Sequence, residues 1–114
     1  MLFRSGVQND PRPELTFRGI LPKEALIETA REQDALLRGV LSLDLGVAQV
    51  LIERNADSPK AHHRVRVSAE VGGEEKRGCA EHREPDWALR MAFTALLRNI
   101  AGGRPANDCA AFAA

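Results

Sequence analysis

The sequence contains no tyrosine, one tryptophan and four phenylalanines among 114 residues. Modules that stack several bases across a sheet need more exposed rings than that, so such a module is not expected. Trp87 is expected instead to pack the start of the last helix against the sheet. Cysteine is nearly as scarce. Cys79 and Cys109 form neither a multi-bridge framework nor a CxxC pair. A reduced chain in the cytoplasm is the expectation. No apolar run approaches about 18 residues, so no membrane span is expected. Met1 to Pro13 lacks an apolar stretch of signal-peptide length.

An excess of one charge is missing too. Lysine plus arginine number 16 and aspartate plus glutamate number 16, for a net charge of zero. The chain as a whole has no pull toward nucleic acid or anionic lipid. Binding to a polyanion would have to rest on local segregation of charge. The hydrophobic fraction of 44% and charged fraction of 28% are ordinary globular values. The length suits one domain with a modest core.

Three regions follow from composition. Residues 1–13 read as a polar leader with prolines at 11 and 13. Residues 14–100 carry the periodic signals of a folded domain. Residues 101–114 read as a tail of small residues with Gly102, Gly103 and Pro105.

Within the domain, Glu14 to Gly19 alternates with Leu15 and Phe17 on one side, which predicts a short strand. Pro22 suits the first turn of a helix and Glu24 complements its dipole. Leu26, Ala30, Leu37 and Leu41 recur at helical spacing, with Gln33 or Asp34 as a polar member. Val47 to Arg54 reads as a second strand with Ala48, Val50 and Ile52 on one face. Asn55 to Ala61 holds Asp57, Ser58 and Pro59 and reads as a loop. Arg64 to Val71 is the plainest strand: Val65, Val67, Ala69 and Val71 point one way, Arg64, Arg66, Ser68 and Glu70 the other. Gly72-Gly73 signals a hairpin. Glu75 to Glu81 is the returning strand, although its apolar alternation is poor. Asp86 is placed to cap a last helix whose buried stripe is Leu89, Ala92, Phe93, Leu96, Leu97 and Ile100.

The expected fold class is α+β, in the order β-α-β-β-β-α. A four-stranded mixed sheet carries both helices on one face. The crossover makes the first two strands parallel, and the later strands pair antiparallel.

That order, with particular residues, resembles the ribosome-associated hibernation-promoting factor family. The residues are Leu-Thr-Phe-Arg-Gly at 15–19, Pro-Lys-Glu-Ala-Leu at 22–26 and His-His-Arg-Val-Arg-Val at 62–67. To these add Val-Gly-Gly-Glu at 71–74, Ala-Leu-Arg-Met-Ala-Phe at 88–93 and Arg-Asn-Ile at 98–100. The resemblance implies a fold related to double-stranded-RNA-binding domains. It implies a short, non-enzymatic factor that binds the rRNA of the small ribosomal subunit. Such a factor occupies the messenger and transfer-RNA channel and silences or preserves idle ribosomes. The family carries basic residues along the first helix and toward the end of the last. Here Leu36, Gly39, Leu43 and Leu97 stand in those neighbourhoods.

The local basic cluster is Lys60, His62, His63, Arg64 and Arg66. With Arg18, Lys23, Arg90 and Arg98 it forms the candidate nucleic-acid-binding set. The bland alternative is a solvated loop and strand face. A zinc reading of His62, His63, Cys79 and His82 fails on spacing, because adjacent histidines on a strand point to opposite faces. A thiol enzyme built on Cys79 and His82 lacks an orienting partner, so neither catalysis nor a cofactor is expected. The rival reading is a protein-interaction module on the same fold. Leu51 and Val47 on the outer sheet face would be its docking surface, or a homodimer interface.

Overall fold

The computed structural model describes residues 12–41, 45–55 and 62–102. The elements are β1 (Glu14–Arg18), α1 (Glu24–Leu41), β2 (Gln49–Asn55), β3 (His62–Val71), β4 (Glu74–His82) and α2 (Pro85–Gly102). The sheet order is β1-β2-β3-β4. β1 runs parallel to β2, while β2–β3 and β3–β4 are antiparallel. The α+β class and the element order are those the sequence predicts. The proposed leader lies almost wholly outside the described residues, as does the tail beyond Gly102.

The period-two run sets the inner face. Val50, Ile52, Val65 and Val67 are buried there together with Leu89, Phe93 and Leu96. Leu26, Ala30 and Leu37 of α1 close the same core, and Leu15 and Phe17 of β1 pack at its margin. Both helices therefore cover one side of the sheet. The β3–β4 hairpin turns on Gly72 and Gly73, with φ of 61° and 84°. A two-residue turn with positive φ at both positions matches the right-handed twist of the strands.

β4 explains its own weak pattern. Gly78 and Ala80 face the helices, and α2 lies directly on them. A Cβ at Gly78 would meet the backbone of Leu96 and the Ala92 carbonyl. Asn99 is buried and donates from Nδ2 to the Arg77 carbonyl, which anchors the same helix to the same strand.

Several expectations are corrected. Pro22 lies two residues before α1 rather than in its first turn; the Lys23 carbonyl accepts from Leu26 N and Ile27 N. The polar member of the α1 stripe is Asp34, which is 3% exposed. Its Oδ2 accepts from Arg38 Nε at 2.9 Å. Arg38 also donates to the carbonyls of Leu45 and Gly46. A buried carboxylate is tolerated here because a partnered guanidinium sits beside it. Asp86 does not cap α2. It faces α1, where Thr29 Oγ1 donates to Oδ1 at 2.8 Å. Val47 lies just before β2 rather than in it, exposed and beside Gln49, Ser68 and Glu70 of the outer face. Cys79 is disulfide-bonded, contrary to the expected free thiol, since a single bridge leaves no spacing pattern to read. Cys109 lies outside the described residues.

Candidate nucleic-acid interface

The sequence-predicted basic residues divide between opposite sides of the domain. Arg18, Arg64 and Arg66 project from the outer face of the sheet, because their neighbours Phe17, Val65 and Val67 point into the core. His62 and His63 open β3 at one end of that sheet. Lys23 stands exposed just before α1. Arg90 and Arg98 lie on α2, across the sheet from Arg64. Lys60 lies outside the described residues.

Register decides what the outer face presents. Arg18 pairs with Glu53, Glu53 with Arg64, and Arg64 with Glu81. One row across all four strands therefore alternates in sign. Arg64 Nε stands 3.9 Å from Glu81 Oε2. The next row is Thr16, Leu51, Arg66 and Cys79. The third is Glu14, Gln49, Ser68 and Arg77, with Gln49 Nε2 donating to Glu14 at 2.8 Å. Opposite charges facing each other across strands stabilise the sheet but cancel its field. An open depression among Thr16, Arg18, Leu51, Arg66 and Ser68 is lined by two arginines and no acid, and Arg66 has Leu51 and Cys79 rather than a carboxylate opposite it.

The two helices differ in charge. α1 carries Glu24, Glu28, Glu32 and Asp34 against Arg31 and Arg38. α2 carries Arg90 and Arg98 against Asp86 alone. Asp86 is already engaged by Thr29 and by Arg90 Nε at 3.0 Å. Burial pushes its carboxyl up, but the Thr29 hydroxyl and the hydrogen bond and charge of Arg90 outweigh that, and the net direction is down. The carboxylate thus stays charged and satisfied.

The solvent side of α2 shows Trp87, Met91, Thr94 and Arg98, all exposed. Trp87 is 53% exposed, which overturns the expectation that it packs against the sheet. Its position is two residues before Leu89, off the buried stripe. Helical spacing puts 87, 91, 94 and 98 on one face, and that signal was present in the sequence. Sequence reasoning also passed over the ring next to it. His82 ends β4 with its ring centroid 6.4 Å from that of Trp87, tilted by 42°. His63, its cross-strand partner, bonds through Nδ1 to the Arg83 carbonyl at 2.8 Å. Arg83 and Arg98 have no ion-pair partner among the described residues. No group of three or more His, Cys, Asp and Glu among the described residues is arranged to hold a metal ion. None of the described helices is long and apolar enough to cross a membrane.

The fold is similar to that of solved structures. The "Protein Y N-terminal domain" of Thermus thermophilus superposes with a TM-score of 0.68 at 17% identity, covering 82% of this chain and 99% of that one. A "ribosomal subunit interface protein" from Coxiella burnetii superposes with a TM-score of 0.69 at 13% identity, covering 81% of this chain and 96% of that one. No family model and no curated protein matches the sequence. The likeness is one of fold, carried over nearly the full length of both neighbours.

Proposed function

We propose that the domain is a non-enzymatic ribosome-associated factor of the cytoplasm that binds the small subunit through its rRNA. It inhibits or preserves idle ribosomes by occluding the messenger and transfer-RNA channel. The supporting observation is the whole-domain likeness to a ribosomal subunit interface protein. No cofactor enters this reading. A domain seated in a channel meets RNA on more than one side, which gives roles to both groups of arginines. Arg90 and Arg98 contact phosphates from the α2 face. Arg18, Lys23, His62, His63, Arg64 and Arg66 contact them from the other side and end of the sheet, and Lys60, outside the described residues, belongs to the same candidate set. Arg98 contributes more than Arg64, because Arg64 already faces Glu53 and Glu81.

The test is binding to purified small subunits across a salt series, read by sedimentation. Affinity falls with salt by roughly 0.7–0.9 log units per log unit of salt for each phosphate contact. Arg98→Ala flattens the slope by about one unit; Arg64→Ala flattens it less. Wild type that stays at the top of the gradient at low salt refutes the reading.

The alternating outer face supports a second reading, a protein-interaction module or homodimer through that face. Leu51→Ser separates the two. It leaves subunit binding unchanged under the first reading and abolishes association with a protein partner under the second.

A further inference from the structure

We infer that Trp87 and His82 form a preorganised ledge for one unstacked base of single-stranded RNA. The inference deepens the ribosome-binding reading by naming the kind of RNA element that the α2 face engages. Its basis is an aromatic ring left in solvent at a place where the backbone is fixed by two other rings.

The fixing follows from hydrogen-bond chemistry. The Arg83 carbonyl can only accept, so His63 Nδ1 carries a proton and donates to it. The Glu84 amide can only donate, so His82 Nδ1 is the acceptor, at 3.0 Å. The proton of the neutral His82 ring therefore sits on Nε2. These two bonds bridge β3, β4 and the bend at Arg83–Glu84, from which α2 departs. Trp87 stands in the first turn of that helix, and its side chain is held beside the His82 ring. The ledge thus combines an exposed indole face with a fixed N–H donor, Nε2, that has no partner among the described residues.

Charge selects the occupant. Of the acids near the indole among the described residues, Asp86 is paired with Arg90 and Glu84 stands exposed three residues before Trp87, so the cations Arg83 and Arg98 outnumber the one unpaired acid. Arg83 lies just ahead of the helix, and Arg98 lies on the indole's own face of it. Eleven residues separate Trp87 from Arg98, about 16 Å along the axis. An aromatic face flanked by unpaired cations at that reach suits a base and the phosphates of the strand that carries it. A duplex would keep its bases stacked and offer nothing to the indole.

Trp87 is the only tryptophan and the chain has no tyrosine, so intrinsic fluorescence reports on this ledge alone. The experiment titrates the full chain with a single-stranded RNA on the order of ten nucleotides, and with the same RNA annealed to its complement. In parallel, wild type and Trp87→Ala are bound to small ribosomal subunits. We expect saturable quenching by the single strand and little by the duplex. Trp87→Ala should weaken single-strand binding by roughly 5- to 150-fold, with an unchanged melting temperature because the ring is exposed. His82→Ala should weaken it less. Absence of quenching overturns the inference. If Trp87→Ala impairs subunit binding while RNA does not quench, the indole docks on protein, and the inference also fails. If wild type fails to bind subunits but the single strand quenches, the proposed function falls and this inference stands.

Discussion

Gly78 offers a sharp test of how α2 is seated. It lies in β4 under the helix, fully buried, with the Leu96 backbone and the Ala92 carbonyl where a side chain would begin. Gly78→Ala has two opposing effects. The unfolded chain loses freedom, which stabilises by about 0.4–1 kcal/mol. The folded chain must accommodate a methyl against backbone atoms that cannot rotate away, and overpacking costs about 1–3 kcal/mol. Because the obstacle is backbone rather than a flexible side chain, the upper end applies, and after the entropic gain the net is destabilising by about 2–2.5 kcal/mol. A domain of this size loses about 4–8 °C in melting temperature per kcal/mol. The variant should therefore melt roughly 8–20 °C lower.

Gly39 supplies the control, because it sits in α1 with nothing within 4 Å of an added Cβ. Gly39→Ala should stabilise by about 0.5–1 kcal/mol through helix propensity alone. The same chemical change thus has opposite signs at the two positions. Thermal unfolding followed by circular dichroism reads both. A Gly78→Ala protein that melts at or above wild type would show that α2 does not lie on β4 as described.

Two further predictions concern polar links. Asp86 is held below its ordinary carboxylate value, so its contribution to stability is present above about pH 4 and is lost as pH falls through the folded value. Thr29→Val removes one cause of the depression; the Asp86 carboxyl should then titrate higher by NMR, and an unmoved titration refutes the link between helices. Arg38→Met leaves the Asp34 carboxylate buried without its partner and frees the Leu45 and Gly46 carbonyls. With 19% of the Arg38 side chain in solvent, the cost should sit at the lower end of about 3–5 kcal/mol. Chemical denaturation that shows a loss under 1 kcal/mol counts against it.

The elements that read well from sequence are those whose partners are uniform. β3 runs Val65, Val67, Ala69 against a continuous apolar layer, so period two is unbroken. The stripe of α2 is clear for the same reason. β4 reads poorly because its inner face meets a helix backbone, and close approach selects Gly78 and Ala80 rather than large apolar residues. Asp86 looked like a cap because the residues around it suit one. Its partner Thr29 is 57 residues away, and no local pattern carries that information. The candidate arginines were legible as residues and not as a surface. Which of them face an acid depends on strand register, and Arg64 opposite Glu53 and Glu81 emerges only once three strands are aligned.

Register also settles how a chain of zero net charge can present a directed field. Adjacent strands lie about 4.8 Å apart, well inside the Debye length of about 8 Å at physiological salt. The alternating row Arg18, Glu53, Arg64, Glu81 therefore cancels before its field reaches a distant partner. α1, with four acids to two arginines, repels a polyanion. On α2 the lone acid is held by Thr29 and Arg90, while Arg98 and, just ahead of the helix, Arg83 have no acid against them. A phosphate-bearing partner approaching from solution thus meets uncompensated cations on the α2 side, and on the outer face Arg66, which has no acid opposite it. Under the proposed function, a net-neutral chain can meet RNA because folding separates some of its cations from its acids. The corollary is that reversing Arg98 to glutamate should slow association with the subunit more than it speeds dissociation, whereas the same change at Arg64 should leave the association rate nearly unaltered.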